Sequence, residues 1–407
     1  MSNHQALPAR NTSEALRLFT LFSIIFLGSA GFFITIPSYV GLFLGTAEGM
    51  TDPSMTIEDR RQLFGLVMSA APFISMLFTP FLARLSDSIS RKFMMSFCLI
   101  IASIGFVMPV MAIAASSVIL LFAGNMINSL GSASQPIAQA ELANMAEGTR
   151  RARLMSLVGV VMTAAMSFGP ALGSKLSAEF GISAPFYACL LIAIFNLFLL
   201  QFIPMSTKAV ARENPLSLIA PLRRSRHGLI ASLGLIFTCQ FCWSLYFQSV
   251  SFILPEVFGH SVESSQYQWL MSTIGIVMIG SLLLLPSAML KQWPLEKCLR
   301  TGLVIAASGM FVLTLCAEFW MHMVVLIPTI IAVAVLYPFY LTKLSVSASE
   351  KDQGWAMALA SAAIGLAWTL SGYITAMMVN VALYLPLWIA GAGLFSALLL
   401  TKTKKSS

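Results

Sequence analysis

Long apolar runs, separated by short polar segments, follow one another from residue 18 to residue 401. Most runs have about 20 residues or more, the length a helix needs to cross the hydrocarbon core of a bilayer. Backbone polar groups find no partners in lipid, so runs of this length are predicted to be helices. The pattern predicts twelve membrane-spanning helices, at residues 18–45, 63–83, 93–114, 117–143, 154–177, 184–204, 228–254, 267–289, 297–317, 321–342, 354–378 and 382–401.

Positive charge predicts the orientation of these helices. If the N-terminal segment lies on one side of the membrane, every second polar segment lies on that same side, and these segments hold all but three of the 24 Lys and Arg residues. The exceptions are Arg60, Arg61 and Lys175. Lys and Arg are enriched in the cytoplasmic loops of membrane proteins. We therefore expect a multi-pass protein of the cytoplasmic (inner) membrane with both termini inside.

The longest polar cytoplasmic segment divides the predicted helices six and six. We accordingly predict a first bundle at 1–204, a cytoplasmic linker at 205–227 and a second bundle at 228–407. The expected fold class is an all-α membrane protein with 12 transmembrane helices in two pseudo-symmetric six-helix bundles. Such a duplicated plan is common in transporters, where the substrate path lies between the halves.

Composition excludes several classes of protein. The chain is 58% hydrophobic and only 10% charged, which is incompatible with a soluble globular domain or a disordered chain. The net charge of +8 lies in short segments between apolar runs, without the basic, aromatic-rich stripe that nucleic acid requires. The expected partners are a small-molecule substrate and the lipid bilayer, with no nucleic acid, and the expected state is a monomer.

Enzymatic chemistry is not predicted. The sequence lacks the H-E-x-x-H and G-x-S-x-G motifs, and its four His residues are scattered. The six Cys residues lie in or beside apolar runs, which favours packing over disulfides or metal binding. We expect no enzyme activity, no metal site and no bound cofactor, with a proton gradient as the suspected energy source.

The strongest motif is the polar loop after the second predicted helix. There a carboxylate, Asp87, precedes Arg91 and Lys92. A carboxylate at this position can cap a neighbouring helix, and the Arg can pair with it or with another acid. The segment resembles the loop signature of the major facilitator superfamily, G-x-L-a-D-r-x-G-R-K/R, with Ala83 and Ser90 in place of the glycines. This resemblance implies a cytoplasmic gate; plain positive-inside charge is the alternative.

A second motif lies in the fifth predicted helix. Gly169, Pro170 and Gly173 resemble part of the G-P-x-x-G-G antiporter signature of drug/proton exporters, with Ser174 in place of the last Gly. Residues 83–200 as a whole resemble tetracycline/proton antiporters. The resemblance implies proton-coupled efflux of a small amphipathic molecule. A packing motif without directional meaning, an importer of a nutrient or metabolite, and an exporter of a siderophore-like metabolite stay open.

Uncharged polar residues suggest where a substrate would bind. Those of the fourth predicted helix are spaced 3, 4, 3 and 4 apart, which places them on one helical face. Such a face is costly against lipid, so it is expected to line a cavity or to bind a neighbouring helix. Amphipathic aromatic and amide side chains of the seventh and tenth helices suit a mainly apolar ligand. The candidate cavity residues are Asn125, Asn128, Ser132, Gln135, Gln139, Gln240, Trp243 and Tyr337.

Three acidic residues in or near the apolar runs are candidates for proton coupling. Glu141 lies near the inner end of the fourth helix, where pairing with Arg91 or Arg84 is expected. Glu256 and Glu318 lie near outer helix ends. A buried acid can exchange a proton because burial favours its neutral form. Simple surface exposure is the alternative for each.

Overall fold

The computed structural model describes residues 9–45, 54–145, 148–203, 226–347 and 353–401. Helices make up nearly all of this part of the chain. In order they are α1 (Ala9–Leu44), α2 (Ile57–Ser88), α3 (Arg91–Ala114), α4 (Val118–Gly131), α5 (Ser134–Asn144), α6 (Gly148–Phe180), α7 (Ala184–Phe202), α8 (Arg226–Phe258), α9 (Ser265–Gln292), α10 (Leu295–Leu313), α11 (Phe319–Ser347), α12 (Gln353–Val381) and α13 (Leu385–Ala397).

These helices confirm the predicted all-α membrane fold. Within the described ranges, nine helices are long and apolar enough to cross a membrane. The remaining spans are α4 with α5, α10, and α13 with the 3-10 turn Leu398–Thr401 that follows it. Helices α1–α7 form the first bundle of six spans, and α8–α13 form the second.

The fourth span differs from its prediction because it is broken in the middle. Ser132 and Ala133 form a turn between α4 and α5. Pro136 lacks the backbone N–H that would donate to the Ser132 carbonyl in a continuous helix. That carbonyl instead accepts from the Gln135 N–H at 3.0 Å. The single helix predicted at 117–143 is therefore wrong in this respect.

Several helix ends have local causes in the sequence. The side chains of Thr56 and Ser264 accept hydrogen bonds from the backbone N–H three residues later, and so cap α2 and α9. Gly181 and Gly259 follow α6 and α8 with φ of +90° and +68°. Only glycine adopts such left-handed backbone at little cost, so both helices end there.

The two ends of the molecule differ in the connections that they carry. The basic end is the one with the α2–α3 loop, and the opposite end is the one with the α1–α2 connection.

The predicted linker at 205–227 lies outside the described residues, apart from the first two residues of α8. The domain boundaries and the cytoplasmic orientation of the basic end therefore stay predictions.

Buried apolar side chains form two clusters. The larger joins the second bundle to the first at the opposite end, where Tyr39 and Phe64 belong to the same cluster as Tyr246 and Tyr267. The smaller contains only residues of the first bundle. The two bundles thus share one core toward the opposite end, where van der Waals packing between their side chains holds them together.

Candidate functional site

An aromatic triad joins the two bundles near the middle of the spans. It consists of Phe33 on α1, Phe247 on α8 and Trp368 on α12. The ring centroid of Phe33 lies 5.7 Å from that of Phe247 and 5.9 Å from that of Trp368, and the latter two rings are 5.7 Å apart. All three pairs are edge-to-face, a favoured geometry worth about 0.5–1.5 kcal/mol per pair beyond burial.

A narrow pocket lies between the bundles, on the side of this triad that faces the opposite end. We call it the inter-bundle pocket. Its walls are aromatic and aliphatic, with a few uncharged polar groups. Gln248 donates a hydrogen bond from Nε2 to Ser371 Oγ at 3.3 Å. The lining residues are Phe32, Ile36, Phe64, Met68, Phe247, Gln248, Ser251, Tyr267 and Trp368.

A hydrogen-bonded cluster, the amide hub, lies on the basic-end side of the triad. Gln240 Nε2 donates to the Tyr340 hydroxyl at 2.5 Å. Trp368 Nε1 donates to Gln240 Oε1 at 3.1 Å, which connects the hub to the triad. The Tyr337 ring lies 5.5 Å from that of Tyr340 and is 41% exposed. Two predicted cavity residues, Gln240 and Tyr337, therefore both contact Tyr340, and Gln240 also binds the triad through Trp368.

The third predicted cavity residue of the second bundle lies elsewhere. Trp243 is buried, with its ring 5.5 Å from that of Tyr246. Tyr246 in turn hydrogen bonds to His322 Nε2 at 3.1 Å within the same bundle. Trp243 is not among the residues that line the inter-bundle pocket. Its place in the structure is the packed interior of the second bundle.

The polar residues of the fourth span contact four different helices. Asn125 Nδ2 donates to the Val67 carbonyl on α2 at 2.8 Å, and Ser132 Oγ hydrogen bonds to Ser75 Oγ on α2 at 3.3 Å. These contacts tie the first bundle together, as the alternative of binding a neighbouring helix requires. Their cavity role stays a prediction. Asn128 lies against Gly105 on α3, and Gln135 lies against Gly28 on α1. Gln139 donates a hydrogen bond to the Met162 sulfur on α6.

A buried ion cluster holds α5 at the basic end. Glu141 is completely buried, and its carboxylate pairs with Arg17 on α1 and with Arg91 on α3, the latter at 3.1 Å. The Asn144 amide lies against the Arg91 guanidinium, and with its oxygen turned toward Arg91 it accepts a hydrogen bond, 3.2 Å from Nη2. The expected Glu141–Arg91 pair is present.

The loop signature contributes to the same end of the molecule. Lys92 Nζ donates to the carbonyls of Gln201 at 2.9 Å and Ile203 at 3.3 Å, at the end of α7. A cation at this position satisfies carbonyls that the helix leaves unpaired. The side chains of Asp87 and Arg84 lie outside the described part of the structure. The gate assigned to Asp87, Arg91 and Lys92 therefore stays a prediction.

The glycine motif of α6 places this helix directly against α1. A Cβ atom at Gly169 would lie 2.9 Å from Cβ of Phe33, and one at Gly173 would collide with the Ile34 carbonyl. Pro170 lies within the helix between these two contacts. The motif thus has the packing role that its spacing allows. Its link to the direction of transport stays a prediction.

An ion pair connects the bundles at the opposite end. Arg61 Nη2 on α2 contacts Glu256 Oε1 on α8 at 2.5 Å, and Arg61 Nη1 donates to Asn380 Oδ1 on α12 at 3.3 Å. Asn380 donates in return to the Glu58 carbonyl at 3.2 Å. We call Arg61, Glu256 and Asn380 the opposite-end latch. The third candidate acid, Glu318, lies exposed in the α10–α11 connection.

Sequence reasoning did not identify the triad or Tyr267. The chain has 29 Phe residues, so Phe33 and Phe247 do not stand out. Trp368 carried a usable signal, because it lies in the middle of a predicted span, far from the membrane interfaces where Trp is usually enriched. Tyr267 lies at a helix start, where an interfacial position was the ordinary interpretation.

Comparison with known proteins places this architecture in a family. Residues 18–264, more than half of the chain, match the sequence model of the Major Facilitator Superfamily. Tetracycline resistance protein, class C, from Escherichia coli is 25% identical over 302 residues, which cover 71% of this chain and 73% of that protein. The class B protein from the same organism is 21% identical over 169 residues, 42% of this chain and 41% of that protein.

Solved structures share the fold over nearly the whole chain. The inward-open xylose transporter XylE from E. coli has a TM-score of 0.73 at 16% identity and covers 95% of both chains. The human organic anion transporter MFSD10 has a TM-score of 0.69 at 18% identity, over 97% of this chain and 100% of that one. Together with the family match, these similarities identify the chain as a multi-pass integral membrane protein that belongs to the Major Facilitator Superfamily of secondary transporters.

Proposed function

We propose that this protein exports a small amphipathic molecule from the cytoplasm in exchange for protons, by alternating access. The observation that carries the proposal is the inter-bundle pocket together with the amide hub. The pocket combines aromatic walls with a few uncharged hydrogen-bonding groups, and the hub adds hydrogen-bonding side chains on the other side of the triad. Ligand sites for mainly apolar molecules have this character.

Alternating access requires the bundles to separate at one end while they close at the other. The shared core and the Arg61–Glu256 pair hold the bundles together at the opposite end. In the proposed cycle this latch opens, and the cytoplasmic end closes with the help of Asp87, Arg91 and Lys92. The substrate then passes the aromatic triad from the amide hub to the inter-bundle pocket.

The direction and the coupling ion are inferred from the relatives and from the ion pair between the bundles. Both E. coli relatives are named for tetracycline resistance, and Gly169, Pro170 and Gly173 resemble an exporter signature. Among the three candidate acids, Glu256 is the one whose ion pair bridges the bundles. Protonation of its carboxylate would remove the charge that Arg61 binds, so proton uptake there would favour opening of the latch.

Transport into vesicles tests this proposal. Everted membrane vesicles with the protein should accumulate tetracycline or a fluorescent amphipathic dye when the interior is made acidic, and vesicles without the protein should not. The control variant Tyr187→Phe, on the exposed face of α7, should transport normally. Accumulation by right-side-out vesicles would instead establish an importer. Flux that does not respond to the pH step would remove proton coupling.

A further inference from the structure

Tyr267 carries a polar group that packing does not explain. The residue is 0% exposed and lines the inter-bundle pocket, yet its hydroxyl has no hydrogen-bond partner in the described part of the protein. A buried hydroxyl without a partner destabilises a fold. Phenylalanine would fill the same space without that penalty. The hydroxyl therefore indicates a partner that comes from outside the chain.

The remaining lining restricts the chemistry of this partner. Four aromatic side chains and two aliphatic ones surround the pocket, and its other polar groups are those of Gln248 and Ser251. Aromatic rings stack well on such walls. None of the lining side chains within the described ranges carries a formal charge, so a charged ligand would lose its hydration without gaining a counter-ion there.

We propose that the inter-bundle pocket is a recognition subsite for an uncharged aromatic group that bears a hydrogen-bond acceptor, which receives the proton of the Tyr267 hydroxyl. The inference deepens the proposed transport function, and rests on it for the role of the ligand as cargo. Tyr267 is then a specificity-determining residue. The subsite distinguishes aromatic cargo with an acceptor from cargo of the same size without one.

The position of the subsite couples its occupancy to the latch. Its walls come from both bundles, with Phe32 and Phe64 from the first and Gln248 and Tyr267 from the second. The pocket is narrow while the Arg61–Glu256 pair holds the opposite end closed. A ligand that binds better to the wider pocket shifts the protein toward the state open at that end. Loss of the latch should therefore strengthen binding.

Equilibrium dialysis on the purified protein in nanodiscs tests the subsite with three probes. Coumarin is uncharged and carries a carbonyl acceptor, naphthalene has the same two-ring size without an acceptor, and trimethylanilinium is a cation. We expect saturable binding of coumarin, with an affinity about 2- to 12-fold above that of naphthalene, the range that one hydrogen bond provides. Trimethylanilinium should bind weakest.

Variants make the test specific to the hydroxyl. Tyr267→Phe should reduce coumarin affinity to the level of naphthalene, leave naphthalene binding unchanged and preserve or raise thermal stability. Tyr187→Phe, on the exposed face of α7, should change none of these. Arg61→Gln should strengthen binding of both uncharged probes.

The proposal is overturned if neither the native protein nor Arg61→Gln binds coumarin saturably. It is also overturned if Tyr267→Phe leaves coumarin affinity unchanged, or weakens both uncharged probes equally. These measurements use no gradient and no flux, so they are independent of transport. Binding that depends on Tyr267, together with no accumulation of tetracycline or the dye in everted vesicles, would refute the transport proposal and retain the subsite.

Discussion

Replacement of Glu141 by Gln should destabilise the protein strongly. The carboxylate is 0% exposed and pairs with two guanidinium groups, of which Arg91 is only 7% exposed. Removal of one partner from a buried ion pair leaves the other charge uncompensated, at a cost of about 3–5 kcal/mol. Asn144 still accepts a hydrogen bond from Arg91, so we expect the lower end of that range.

Thermal unfolding followed with a thiol-reactive fluorogenic dye measures this effect directly. All six cysteines are free and buried, so the dye reports the fraction of unfolded protein. A loss of about 3 kcal/mol should lower Tm by roughly 3–4 °C.

The matched control is Glu14→Gln. Glu14 pairs with Arg150 on the surface, with the two side chains 43% and 58% exposed. Exposed pairs contribute about 0–1 kcal/mol, so this variant should shift Tm by about 2 °C at most. Equal shifts in the two variants would refute the reasoning that Glu141 is a buried structural counter-ion.

Three further variants test other parts of the structure. Gly173→Ala should lower the free energy of unfolding by about 1–3 kcal/mol, because the added Cβ would collide with the Ile34 carbonyl. The control is Gly159→Ala in the same helix, which has open space around it and should be neutral or stabilising in the same dye assay. Arg61→Gln should lengthen the distances between spin labels on α2 and α8 at the opposite end. The population of the state open at that end should rise up to about fivefold, since a partly exposed ion pair contributes about 0.2–1 kcal/mol. Unchanged distances would exclude the latch. Asp87→Asn should reduce vesicle flux sharply with expression intact, and undiminished flux would remove Asp87 from the gate.

The sequence was a good guide to features that depend on one segment at a time. A run such as 93–114 is apolar enough to span a membrane wherever its neighbours lie, and α3 occupies Arg91–Ala114. The spacing of Gly169 and Gly173 predicted a close helix contact, although not its partner α1. The break at Ser132 was also readable, because Pro136 removes a specific backbone donor, yet the apolar pattern alone predicted one continuous helix.

The site itself depended on tertiary structure. Phe33, Phe247 and Trp368 come from distant parts of the chain, and no local pattern relates them. Arg61 and Glu256 likewise meet across 195 positions. The transfer free energy of a segment into lipid is set by its own side chains, so the sequence determines which segments span. Which side chains face one another depends on how each helix is rotated and packed against its neighbours, and only the assembled bundles decide that.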